Sequence, residues 1–255
     1  MPEGSAASTF SPDPAAESPA RISASAVHLL TIRVAEAVTQ QQLDELRGWR
    51  EEQLELTPSD PGLGRRFKTR IQQRFFTEYD RLLDENRETE TLLNRRLAAL
   101  IRRELYERQT DYRLLAYAIL PNHVHIALEA RPEAADLGSL ASSQHAVPER
   151  MDERADVGSP LIDYLRGLKT ATAEAAAALE GGGVKLEWHN ESFDYWVRSA
   201  AELEAIVDYI AHNPVSAGLV RDPEQWFFCS AHDRFLHDGE TCGWLPDVAT
   251  PPIIR

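Results

Sequence analysis

Two histidines one residue apart, His123 and His125, lie in the run Leu120-Pro121-Asn122-His123-Val124-His125-Ile126-Ala127-Leu128, directly after a Pro-Asn turn. Side chains alternate across a strand, so both imidazoles can aim at one point while Val124 and Ile126 turn to the core. Two converging imidazoles are half of a divalent-metal site. The plain structural alternative is a half-buried edge strand with incidental histidines.

The other half is sought in Ile206-Val207-Asp208-Tyr209-Ile210-Ala211-His212-Asn213-Pro214. Tyr209 and Asn213 are four apart, which on a helix places both on one face about a turn apart. If this helix packs over the histidine strand, two imidazoles, an amide oxygen and a phenol surround one ion. Such a set leaves positions open for phosphate oxygens and water, which suits Mg²⁺ or Mn²⁺ acting as a Lewis acid. Taken singly, Tyr209 also reads as a core aromatic and Asn213 as a helix-terminal residue before proline. His212 is expected to point away from the site.

The elements that must position these groups follow from composition and period. Residues 26–34 have strand composition, and 39–56 carry apolar residues at helical spacing, stopped by Thr57-Pro58-Ser59-Asp60-Pro61-Gly62. A long helical region, broken near 86–91, spans 67–106. Residues 112–120 are β-rich and should pair antiparallel with 123–129 across the Pro121-Asn122 turn. Ser159-Pro160 starts a helix over 161–179 that Gly181-Gly182-Gly183 ends. Residues 184–188 and 193–198 read as a strand or hairpin, and Ser199 caps a helix that Pro214 should terminate. The pattern is α+β, with helices on one face of a small antiparallel sheet.

The chain of 255 residues is 43% hydrophobic, enough for one substantial core. Residues 1–22, rich in Pro, Ala, Ser and Glu, are expected to be a disordered tail, 131–159 a flexible insertion, and 236–255 a C-terminal tail, leaving one domain over 23–235. With no signal peptide, no apolar run of membrane-spanning length and only Cys229 and Cys242, a reducing cytoplasmic setting without membrane contact is expected. The net charge of −14 speaks at first against nucleic acid. Its distribution speaks less firmly: residues 65–113 hold thirteen Lys or Arg against nine Asp or Glu, while 161–255 hold seven against fifteen.

Several motifs in order carry a resemblance. They are Leu115-Ala116-Tyr117-Ala118-Ile119-Leu120-Pro121-Asn122-His123-Val124-His125, Leu168-Lys169-Thr170-Ala171-Thr172-Ala173, Trp188 with Phe193-Asp194-Tyr195-Trp196-Val197-Arg198, and Tyr209-Ile210-Ala211-His212-Asn213-Pro214-Val215-Ser216-Ala217-Gly218-Leu219-Val220. Together they resemble the REP-associated tyrosine transposases, relatives of the transposases of small insertion sequences within the HUH single-strand endonucleases. The resemblance implies a ferredoxin-like sandwich whose central strands carry the histidine pair. It implies His123 and His125 as metal ligands, Tyr209 as nucleophile and Asn213 as the polar residue completing the metal shell. Lys169, Arg198 and Arg113 are expected to contact DNA, with a solvated helix lysine as the alternative for Lys169 and a cap on the Glu202 turn for Arg198, and Tyr195 and Tyr164 are rival nucleophiles.

The implied reaction is cleavage and rejoining of hairpin-forming, REP-like single-stranded DNA through a 5′-phosphotyrosine link, in a bacterial, nucleoid-associated protein. A monomer is expected, with a dimer as the alternative. Two competing readings remain: a catalytically inactive, domesticated binder of structured single-stranded DNA, and a metal-dependent hydrolase or zinc-stabilised protein that does not use Tyr209.

Overall fold

The computed structural model describes residues 27–86, 88–131, 160–179 and 184–236. The expected tails over 1–22 and 236–255, the insertion over 131–159 and the Gly181-Gly182-Gly183 stop therefore lie almost wholly outside the described residues. Strand β1 (Val27–Arg33) leads into helices α1 (Gln40–Glu55), α2 (Pro61–Glu85) and α3 (Arg95–Glu107). Strands β2 (Tyr112–Ile119) and β3 (His123–Ala130) form the expected hairpin, followed by α4 (Pro160–Ala177), β4 (Phe193–Val197), α5 (Ala200–Ser216) and α6 (Ser230–Leu236). No helix among the described residues is long and apolar enough to cross a membrane.

The four strands form one antiparallel sheet in the order β2-β3-β1-β4, the ferredoxin-like arrangement with β3 and β1 at its centre. Register fixes which side chains meet. Thr31 stands opposite His125 on one side and Phe193 on the other, so all three share a face with Ala118. Tyr117 pairs with Ile126 on the opposite face; a register shift between Leu114 and Ala116 keeps Tyr112 there too.

Helices occupy both faces, because both are apolar. The crossover helices α3 and α4 cover the Ile126 face, where Tyr106 packs on Tyr117 and Tyr164 on Tyr112. The expectation of helices on one face describes this pair and is incomplete: α2 and α5 cover the histidine face, with Phe76 and Tyr209 against the His125 ring. The small side chains of Ala116 and Ala118, both buried, let α5 approach β2 closely.

Two local readings are corrected. The helix carrying Tyr209 does not stop before Pro214 but runs to Ser216. Proline in a last turn removes a single N–H, and the turn still closes by Ala217 N–H donating to the Asn213 carbonyl at 2.9 Å, with Gly218 at φ 70° ending it. Residues 184–188 form no strand beyond a bridge between Trp188 and Val34. That segment is held by side chains instead, the Trp188 indole donating to Thr172 at 2.9 Å.

Candidate functional site

The Pro121-Asn122 turn does more than reverse the chain. The buried Asn122 amide donates through Nδ2 to the carbonyls of Leu83 (2.9 Å) and Asn86 (3.2 Å) at the end of α2. Its Oδ1 is thereby fixed as an acceptor 2.7 Å from His123 Nδ1. His123 must therefore carry its proton on Nδ1 and present Nε2 as a bare lone pair. His125 Nδ1 lies 2.9 Å from the Thr31 hydroxyl, and the two Nε2 atoms face each other at 3.1 Å. Lone pairs that close repel unless a proton or a metal cation lies between the rings.

A third group able to bind a metal comes from a residue the sequence reading passed over. Asp80 of α2 sets Oδ1 3.0 Å from His125 Nε2 and 3.9 Å from His123 Nε2, and this oxygen is buried without a hydrogen bond. One ligand atom each from Asp80, His123 and His125 lie within 4.8 Å of one another, so the group could hold a metal ion. Asn213 Oδ1 is likewise buried and unsatisfied. Two orphaned oxygens beside a bare imidazole nitrogen are costly in a dry interior and are what a cation would satisfy. The donor set of oxygens and imidazoles fits a divalent ion.

Tyr209 and Asn213 converge as the i, i+4 spacing predicts, with Asn213 Nδ2 donating to the Tyr209 oxygen at 3.1 Å. The phenol donates to Asp80 Oδ2, and its oxygen lies 3.4 Å from His125 Nε2. One carboxylate thus faces the histidines through Oδ1 and the tyrosine through Oδ2. The cluster is closed: relative exposure is 8% for Asp80, 1% for His123, 0% for His125, 7% for Tyr209 and 1% for Asn213.

Burial sets the proton balance. It lowers His123 to about 3, helped by the neighbouring His125 and opposed by Asp80. For Asp80, burial alone would raise the value, but the two imidazoles and the phenol hydrogen bond outweigh it and hold the carboxyl below its ordinary range. Tyr209 is pushed well up by burial and by the Asp80 carboxylate, so the phenol is held protonated.

Among solved structures the chain is similar to a REP-associated tyrosine transposase bound to a REP hairpin, at 15% identity and a TM-score of 0.44, covering 94% of this chain and 98% of that one. No family model and no curated protein matches.

The remaining predicted residues fall outside the cluster. Lys169 spends its ammonium on the fold, donating to the His189 carbonyl and the Ser192 hydroxyl (both 2.8 Å), and burial beside Arg33 lowers it to about 8. Arg113 pairs with Glu129, four residues along β3 from His125, or roughly 13 Å away at the strand rise. Arg198 donates its backbone N–H to Glu202 at 2.6 Å, while its guanidinium reaches Thr69 on α2 at 3.0 Å. Of the rival nucleophiles, Tyr195 is bonded to Glu202 and Tyr164 is buried on the opposite face of the sheet. His212 is exposed and bonded within its own helix.

Proposed function

We propose that the chain is a metal-dependent single-strand DNA endonuclease and transesterase, in which Tyr209 is the nucleophile and His123, His125 and Asp80, with Asn213, hold Mg²⁺ or Mn²⁺. The observation that carries this reading is the shared Asp80 carboxylate, which puts the phenol one hydrogen bond from the only group of three metal-ligating side chains among the described residues. The ordered sequence motifs supply the substrate: hairpin-forming, REP-like single-stranded DNA.

In this reading Tyr209 Oη attacks the scissile phosphorus and its proton passes to Asp80 Oδ2, which already accepts it as a hydrogen bond. The P–O3′ bond breaks, the departing strand takes up a proton as a 3′-hydroxyl, and the 5′ phosphate stays on the tyrosine. A bound metal supplies Lewis-acid polarisation of the phosphate, which a phenol made so weakly acidic by burial requires. Attack by a second strand's 3′-hydroxyl reverses the steps and rejoins DNA. Action as a monomer belongs to this reading, with a dimer as the alternative.

The test is a denaturing gel of the protein incubated with labelled hairpin-containing single-stranded DNA and Mn²⁺. A covalent adduct should form and should vanish in Tyr209→Phe and in His123→Ala; an adduct that survives Tyr209→Phe overturns the nucleophile assignment. One observation favours a second reading, that of an inactive binder of structured single strands: Tyr209 is only 7% exposed. Binding without any adduct would select it.

A further inference from the structure

Several arginines of this chain are neutralised within the fold. Arg81, Arg102, Arg103, Arg113 and Arg166 are each in an ion pair. The first two-thirds of α2 departs from this. Residues 61–77 contain five Lys or Arg and no Asp or Glu, in a chain whose acids outnumber its bases 41 to 27. Among the described residues none of Arg65, Arg66, Arg70 and Arg74 is in an ion pair, and all four are exposed. Glu51, Glu52 and Glu55 on neighbouring α1 are exposed as well and bond none of them.

Arg66, Arg70 and Arg74 follow one another at i, i+4, a stripe with a rise of about 6 Å per step. At 100° per residue this stripe begins about 40° from the direction in which Asp80 leaves the same helix and winds slowly away from it. Arg74 stacks over the Trp49 ring at 5.2 Å, giving the stripe a flat apolar plate. A further cation arrives from another element: Arg198, at the β4–α5 junction, bonds Thr69 beside Arg70. The helix that delivers Asp80 to the buried cluster therefore carries, on its exposed surface, a row of unneutralised planar donors.

We propose that Arg66, Arg70, Arg74 and Arg198 form a track for the sugar-phosphate backbone of a single nucleic-acid strand, with Trp49 as its stacking plate. The proposal rests on the DNA reading above. Guanidinium forks suit phosphate oxygens, and a basic row interleaved with an aromatic is how single strands are held without sequence reading. From Arg70 to Asp80 the helix rises about 15 Å. A strand lying on the stripe is therefore held on the outer surface of the helix whose buried side supplies Asp80.

The experiment measures binding of a fluorescent single-stranded oligonucleotide across a salt series, with no metal added so that cleavage plays no part. Arg66→Gln/Arg70→Gln/Arg74→Gln should bind at least tenfold more weakly at low salt, and its plot of log affinity against log salt should be shallower by about two. The comparison protein is Arg103→Gln/Arg166→Gln/Lys185→Gln, which loses the same charge from residues in ion pairs. It should keep the wild-type slope. If both triple variants weaken equally, the effect is one of net charge and the track is wrong. If the α2 variant binds like wild type, the track is wrong and the DNA reading stands. If wild type itself binds no single strand, the DNA reading fails with it. Circular dichroism and melting of each variant establish that it is folded.

Discussion

Asp80 and Tyr209, 129 residues apart in sequence, share a buried hydrogen bond in which the phenol donates to Oδ2 while Oδ1 of the same carboxylate faces two histidines. This contact joins a helix inserted after β1 to a helix that follows β4, across the face of the central strands. It makes the proposed nucleophile and the proposed metal ligands one structural unit, with consequences that can be measured separately from turnover.

Metal should stabilise the fold. Because a cation would satisfy the buried Asp80 and Asn213 oxygens that lack a hydrogen bond, saturating Mn²⁺ at about a hundred times its dissociation constant should add about 2.7 kcal/mol, or roughly 5–10 °C in a melt of a domain this size. The shift should disappear in Asp80→Ala and in His125→Ala. A full shift retained in Asp80→Ala would show that the carboxylate is no ligand.

Asn122 touches neither ion nor tyrosine, yet its loss should be felt by both fold and site. Asn122→Ala leaves the carbonyls of Leu83 and Asn86 without their donor and frees His123 to exchange tautomers, so stability should fall by about 1–3 kcal/mol and Mn²⁺ affinity by about 10–100-fold. Titration calorimetry reads the affinity and urea unfolding the stability. Unchanged affinity in a folded Asn122→Ala protein would remove the tautomer argument.

Acid should weaken the metal-free protein early. An unfolded histidine protonates near 6.5, whereas folded His123 is lowered to about 3. Between these values the unfolded chain binds a proton that the folded chain refuses. Stability is therefore fully present above about pH 6.5 and is lost as pH falls toward 3, with a slope of up to about 1.4 kcal/mol per unit. Asp80, held below its ordinary value, adds a loss of the same sign at the acid end. Urea midpoints in chelator from pH 4 to 7.5 should show this slope, and His123→Gln should flatten it; an equal slope in the variant sinks the assignment.

A second buried polar cluster is expected to act on stability and not on metal binding. On the face opposite the histidines, Asp233 of α6 accepts from Tyr106 at 2.7 Å and from Tyr117, and pairs with Arg102 at 3.3 Å. Asp233→Ala strands a buried guanidinium and should cost about 3–5 kcal/mol. Mn²⁺ affinity of the folded fraction should be unchanged. Loss of metal binding at full foldedness would mean the two faces are coupled.

Much of the site was legible because its signals are local. The His-x-His strand, its hairpin partner and the i, i+4 pair of Tyr209 and Asn213 each depend on one element's period, and all came together as expected. Asp80 was missed because pairing of α2 with the sheet is non-local, and the helix also carries Glu78, Asp84 and Glu85. A signal existed: Phe76, Tyr79 and Leu83 form its buried row, and Asp80 is the acid inside that row. Lys169 and Arg113 show the converse, since both cations already have partners within the fold. Spacing says which residues are cations, while tertiary contacts decide which of them the fold has already neutralised.

The depth at which Tyr209 lies bears on what kind of catalyst such a site makes. A phosphotyrosine ester in an open cleft is exposed to water, which would end the reaction as simple nicking. Packed by Phe76 and the His125 ring, the ester would meet few waters and would survive until another strand end arrives. Under the proposed reading, dryness is what separates an enzyme that joins DNA from one that only cuts it.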